Sequence, residues 1–290
     1  MFPTVTVGLD GSLESLAAAG WAAGEARRRG LPLRLVHVWE GGAHCALPSV
    51  DERTFRYWAE RIPREAAEDL RGRFPGVDIS YEQLTGAPAR VLTEETAEET
   101  GLLVLGTRGL GGLTGFLLGS VAQSAIAQAH GPVALVRPGT DEKAAPPPTT
   151  DVVLGLDVAD SPDALIDYAF DTAALRGARL RVVHAWQVPP VYGFSAATVE
   201  PGIAAVFAED VARELADALR PWRAKYPGVE VLEQPVMGRP GRELAKSAYD
   251  SALLIVGRRA RRARTGSHIG PVTHAVMHHA IAPVIVVPHE

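Results

Sequence analysis

The sequence predicts an α/β protein of two tandem doubly wound domains, each a five-stranded parallel sheet with helices on both faces. Three observations carry this expectation. The chain repeats itself once, each copy alternates short apolar runs with longer helical patterns, and 290 residues is about twice the length of a typical single domain.

The repeat is read from landmarks that recur in the same order. Val7-Gly8-Leu9-Asp10 returns as Leu154-Gly155-Leu156-Asp157, and Leu33-Arg34-Leu35-Val36-His37-Val38-Trp39 as Leu180-Arg181-Val182-Val183-His184-Ala185-Trp186. Phe74-Pro75-Gly76-Val77 matches Tyr226-Pro227-Gly228-Val229, Leu103-Val104-Leu105-Gly106 matches Leu254-Ile255-Val256-Gly257, and Pro132-Val133 matches Pro283-Val284. A repeat of about 140 residues is too long for a solenoid unit and has the size of a domain. Between the copies the polar, proline-rich run PGTDEKAAPPPTT favours an extended connection. The expected organisation is therefore a domain over 1–138, a linker over 139–150 and a second domain over 151–290.

Within the first copy the apolar runs 4–9, 33–39, 77–84, 102–106 and 133–137 read as strands. The segments 13–29, 51–73, 87–99 and 120–130 carry helix formers with apolar residues every three or four positions. Strands apolar throughout are buried on both faces, and crossovers longer than ten residues make the sheet parallel. Such sheets bind ligands at the carboxyl ends of the strands, where the chain order reverses.

Composition narrows the function. With 47% hydrophobic and 22% charged residues the chain is an ordinary globular protein. No apolar run approaches membrane-spanning length and the start carries no leader pattern, so the reading is a cytoplasmic protein without a membrane association. One cysteine, Cys45, excludes an internal disulfide framework. A net charge of -5 gives no global attraction to nucleic acid, and the absence of any Gly-Lys pair excludes a Walker-type phosphate loop.

The most informative segment follows the fourth strand: Gly106-Thr107-Arg108-Gly109, nine intervening residues, then Gly119-Ser120 opening a helix. Glycines admit close backbone approach, and a helix start offers amides and a hydroxyl to an anion, so phosphate is the expected guest.

Through Gly106-x2-Gly109-x9-Gly119-Ser120, the early Gly8-Leu9-Asp10-Gly11-Ser12, the His37-Val38-Trp39 strand end and the closing Gly131-Pro132-Val133, the chain resembles the universal stress protein family, specifically tandem-domain members of its ATP-binding branch. The resemblance spans both copies and implies the adenine nucleotide alpha hydrolase-like fold. It further implies ATP, with Mg2+, lying across the strand ends. Asp10 would contact the ribose side beside Gly8 and Leu9, backbone groups near Val38 would select adenine, and Leu105, Gly106, Arg108, Gly109, Gly119, Ser120 and Val121 would surround the phosphates.

The second copy keeps the spacing but reads Gly257-Arg258-Arg259-Ala260 and then Gly270-Pro271. Ala260 puts a methyl where a glycine stood, and Pro271 removes both a hydroxyl and a backbone N–H. Five arginines between positions 258 and 264 are placed to substitute guanidinium contacts for the lost amides. The expected second-site set is Asp157, Ala185, Gly257, Arg258, Arg259 and Gly270.

Rival roles are weighed residue by residue. Asp10 reads either as a ligand contact or as a cap on the helix that begins near Leu13. His37 and His184, repeated within strands, read as satisfied core histidines. His274 and His278 stand four apart on a helix but lack the Glu of an HExxH motif, so no metal site is expected. Cys45 beside His44 is no catalytic dyad on adjacency alone. The arginine run lacks interleaved aromatics and sits in a copy with 15 basic and 16 acidic residues, which speaks against nucleic acid.

The expectation is an ATP-binding stress-response regulator without strong catalysis, because no lysine, paired carboxylates or base stands where phosphoryl transfer needs them. The alternatives are an adenylating enzyme or slow ATPase of the same fold group, and a nucleotide-free interaction protein. Two similar domains suggest an intrachain pseudo-dimer and a homodimer, with the last strand of each copy as a pairing edge.

Overall fold

The computed structural model describes residues 3–40, 52–109, 116–139, 150–188, 201–259 and 269–289. His44, Cys45, Ala260 and the arginines at 261, 262 and 264 lie outside the described residues. The chain divides into two compact units, one built mainly from Met1–Pro146 and the other from Pro147–Arg259 with Gly270–Glu290.

In the first unit the elements run β1 (Thr4–Leu9), α1 (Leu13–Arg29), β2 (Leu33–Trp39), α2 (Glu52–Arg73), β3 (Ile79–Thr85), α3 (Pro88–Glu99), β4 (Thr100–Gly106), a small antiparallel hairpin of β5 (Arg108–Gly109) and β6 (Phe116–Leu117), α4 (Ser120–Gln128) and β7 (Val133–Val136). Its strand order is β7-β4-β1-β2-β3, parallel throughout. The chain therefore winds outward from β1 in one direction through β2 and β3, then returns to the other side with β4 and β7. That reversal between β1 and β4 opens a crevice at their carboxyl ends.

Each element has a local cause. α1 starts where the Ser12 side chain accepts the N–H of Ser15 at 3.2 Å and stops at Gly30, whose φ of 64° is the left-handed conformation that closes a helix. Its run of small residues, Ala18, Ala19, Ala22, Ala23 and Ala26, is fully or almost fully buried, so the helix axis lies close to the sheet. β7 is buried at all four positions, as expected of a strand covered on both faces. β3 begins two residues later than the apolar run suggests, because the N–H of Val77 closes a turn onto the carbonyl of Phe74 at 3.1 Å.

The second unit repeats the plan with β8 (Val152–Gly155), a 3-10 turn (Val158–Asp160), α5 (Asp163–Arg176), β9 (Leu180–Trp186), α6 (Pro201–Lys225), β10 (Val231–Met237), α7 (Pro240–Ser247), β11 (Leu253–Arg259), α8 (Pro271–His279) and β12 (Val284–His289). Its order is β10-β9-β8-β11-β12, again all parallel. Pro235 is accommodated because β10 is hydrogen-bonded to β9 on one side only, the position where a missing N–H costs least. Phe170, stacked on Tyr226 with centroids 5.5 Å apart, anchors α5 against the end of α6.

Among the described residues no helix is long and apolar enough to cross a membrane.

Candidate functional site

The first crevice is a cavity of about 380 Å³ at the carboxyl ends of β1, β2 and β4. Gly8, Leu9 and Asp10 come from the end of β1, Val38 from β2, Leu105 and Gly106 from β4, and Gly119, Ser120 and Val121 from the start of α4. Arg108 and Gly109 form β5 immediately beyond β4, and no side-chain position is described there. The fourteen-residue stretch from Gly106 to Gly119 thus closes on the cavity from both of its ends.

Close packing dictates the glycines. A Cβ on Gly8 would stand 2.9 Å from Leu105 Cδ2 and 3.0 Å from Leu92 Cδ1. On Gly106 it would stand 2.5 Å from the carbonyl oxygen of Glu14 and 2.8 Å from the backbone nitrogen of Ser15, so the first turn of α1 lies directly against the end of β4. Gly119 differs: nothing lies within 4 Å of a Cβ there, and its φ of -65° is open to any residue.

This approach of α1 adds residues outside the expected site set: Ser12, which ends the early glycine run, and Glu14 and Ser15 line the same cavity, with Pro88 and Leu92 from the start of α3. Asp10 is not the helix cap. Ser12 caps α1, and Asp10 Oδ1 in turn accepts the Ser12 N–H at 3.0 Å and the Ser12 hydroxyl. The carboxylate is held at the cavity mouth by the turn that starts the helix, with Asp10 itself exposed.

At α4 the first helical bond runs from the N–H of Gln123 to the carbonyl of Gly119 at 3.0 Å, and no side chain caps the helix. The N–H groups of Ser120, Val121 and Ala122 therefore fall outside the helix's own ladder, beside an exposed Ser120 hydroxyl and the positive end of the helix dipole. Such an end takes an anion. Below it, His37 Nδ1 donates to the carbonyl of Leu9 at 2.7 Å and is buried, tying β2 to β1 as a core histidine does.

The second crevice is a cavity of about 220 Å³. Asp157, Ala185 and Gly257 line it; Gly270, Arg258 and Arg259 are not among its described lining residues. Arg258 is buried at the end of β11, and burial lowers its guanidinium pKa. Arg259 donates from Nε to Asp160 Oδ2 at 2.9 Å, with a second contact from its terminal nitrogen, and this partner raises its pKa. Asp157 caps the 3-10 turn by accepting the N–H of Ala159 at 3.2 Å. The first unit places its own buried arginine one strand over: Arg137 follows β7, and burial lowers its pKa to about 10.

His184 Nδ1 lies 3.0 Å from the Leu156 carbonyl, repeating the His37 contact. The rings of His274 and His278 lie 4.5 Å apart on α8. Among the described residues no group of three or more His, Cys, Asp or Glu side chains is arranged to hold a metal ion.

Comparison with known proteins agrees with this architecture. The profile of the universal stress protein family matches residues 1–137 and again 149–288. A universal stress protein of Mycobacterium tuberculosis (strain H37Rv) is 33% identical over 97% of this chain and 96% of its own length. One from Mycolicibacterium smegmatis is 32% identical over 98% and 96%. The crystal structure of a universal stress protein from Archaeoglobus fulgidus superposes with a TM-score of 0.73 at 17% identity, covering 99% of this chain and 98% of that one, which speaks to the fold. With two matched copies of the family's domain and full-length relatives of the same kind, the chain belongs to the universal stress protein family, in its tandem-domain form.

Proposed function

We propose that the first domain binds ATP and that the protein acts as a nucleotide-dependent regulator in the stress response, without strong catalysis. The observation that carries this reading is the convergence of one cavity on the glycine ends of β1 and β4 and on the uncapped N-terminus of α4. The apolar walls of Val36, Val38, Leu92 and Leu105 suit a flat base, Asp10 suits a ribose, and the amides and hydroxyl at Ser120 suit phosphates.

Asp10 and Glu14 are the carboxylates lining the cavity. They are the hard oxygen ligands that a phosphate-bound Mg2+ takes, so the residues present fit the ion. The ion would supply charge neutralisation for the phosphate chain. Among the described residues lining the cavity there is no lysine and no activated nucleophile for phosphoryl transfer, which supports a binding role over turnover.

The test is calorimetric titration of Mg-ATP into nucleotide-stripped protein, alongside the Gly119→Ala/Ser120→Ala double variant. Since a Cβ at Gly119 meets nothing within 4 Å and Ser120 is exposed, the variant keeps its fold, and lost binding reports on the site alone. Saturable binding that the variant weakens is the expected result. Heat-free titration of the unaltered protein overturns the proposal and leaves a nucleotide-free interaction protein.

A further inference from the structure

We propose that the second domain's cavity binds an adenine nucleoside without its phosphates. The proposal rests on the reading of the first cavity as a nucleotide site, because the two cavities correspond position by position at one end and diverge at the other. Gly155, Asp157, Ala185 and Leu244 line the second cavity where Gly8, Asp10, Val38 and Leu92 line the first. These are the positions assigned to ribose and base, and they keep their character, with Ala185 slightly smaller than Val38.

The phosphate end is rebuilt. Gly119 and Ser120 line the first cavity, whereas their counterparts Gly270 and Pro271 are not among the described lining residues of the second, and Pro271 has neither hydroxyl nor N–H. Val272 and Thr273, next along α8, still line the second cavity, and Asp160 and His289 are added at that end. His289 Nε2 lies 2.7 Å from the position a Cβ on Gly257 would take, so the imidazole covers the strand end that the backbone of α1 covers in the first domain. Asp160 engages Arg259 and pairs its guanidinium. A triphosphate directed to this end meets the Asp160 carboxylate, and a proline in place of one amide and the serine hydroxyl, while the Val272 and Thr273 amides remain at the start of α8. An uncharged nucleoside needs none of those donors, and the smaller volume, about 220 Å³ against about 380 Å³, is in keeping with a ligand lacking the phosphate chain.

The experiment uses the full chain, stripped of nucleotide, in three titrations: Mg-ATP alone, adenosine after saturation with Mg-ATP, and the same pair on Ala185→Leu, which fills the base end of the second cavity. Circular dichroism checks that the variant is folded. The expected result is one ATP per chain, one further adenosine per chain in the presence of ATP, and an adenosine affinity at least tenfold weaker in Ala185→Leu with ATP unchanged. Two ATP per chain, or no adenosine heat once ATP is bound, overturns the proposal while leaving the first-domain reading intact. Adenosine bound at an Ala185-sensitive site with no ATP binding anywhere sustains the second site and removes the first-domain reading. Adenosine binding unaffected by Ala185→Leu also overturns it, and absence of both ligands removes both.

Discussion

In the first domain α1 begins three residues after Asp10, and its opening turn is pressed against Gly106; in the second, α5 begins six residues after Asp157, behind a 3-10 turn and the Ser161-Pro162 pair. The two helices end in register, at Gly30 and Gly177, each in the left-handed conformation with φ of 64° and 57°. The second domain has therefore exchanged one helical turn for an irregular one at constant chain length. Pro162 occupies the position of Ser15, and a proline there forbids the N–H that Ser15 gives to the Ser12 cap. The space vacated over Gly257 is taken by Leu165 and His289 side chains. One glycine is thus kept in both copies for different reasons: against backbone in the first, against the far ends of side chains in the second.

That difference makes the largest expected effect a contrast in stability. Gly106→Ala drives a methyl into the backbone of Glu14 and Ser15, which moves only if α1 moves, and is expected to cost about 3 kcal/mol, the upper part of the usual overpacking range. Gly257→Ala meets an imidazole and a leucine methyl that have room to rotate, and is expected to cost about 1 kcal/mol. Urea unfolding of the two variants measures both. Equal losses would mean that the start of α1 is as yielding as a side chain, and the distinction between the two strand ends would fail.

The next effect concerns the anion donors. Ser120→Ala removes a hydroxyl from the first cavity while leaving the α4 amides, and a hydrogen bond to a charged group contributes about 1.5–3 kcal/mol. ATP affinity is expected to fall by about tenfold or more in calorimetry. The reciprocal change, Pro271→Ser, is expected to leave the second domain without ATP, because His289 and Asp160 still stand at that end; adding His289→Ala should open it. A second ATP site in Pro271→Ser alone would show that the proline excludes phosphate unaided.

Much of the fold was legible because its causes are local. The span 13–29 read as a helix is the helix observed, since Ser12, the alanine run and Gly30 each act within a few residues of where they stand. The first cavity was legible where strand ends and the glycine spacing mark it. Glu14 and Ser15 were not, because they reach the site through a backbone contact between α1 and β4 across some ninety residues of chain. The recurrence of Pro88 and Leu92 as Pro240 and Leu244 was a signal that could have added the α3 contribution. The Arg259 contact was not legible for the same kind of reason: its partner Asp160 stands 99 residues away in sequence.

The smallest expected effect separates the domains by pH. In the second domain Asp167 on α5 accepts hydrogen bonds from Lys225 at 2.5 Å and from the Tyr226 hydroxyl at 2.7 Å, joining α5 to the end of α6. In the first domain Gly20 and Phe74 stand at the positions of Asp167 and Tyr226, so this tie has no counterpart. Partial burial disfavours the Asp167 carboxylate, but the hydrogen bonds and charge of Lys225 and Tyr226 outweigh it together and hold the pKa below the ordinary value of 3.8. A carboxylate with a depressed folded pKa contributes stability that is fully present above its unfolded pKa and fades as pH falls through the folded one. The second domain should therefore lose stability below about pH 4 through a group the first domain lacks, and modestly, since the pair is largely exposed to solvent. Thermal unfolding followed through Trp222, which lies 6.5 Å from Phe170 at this junction, is the measurement. Asp167→Asn should flatten the Trp222-detected acid dependence while leaving the neutral-pH transition lower by a small margin; an unchanged acid slope in that variant would place the acid sensitivity elsewhere in the second domain.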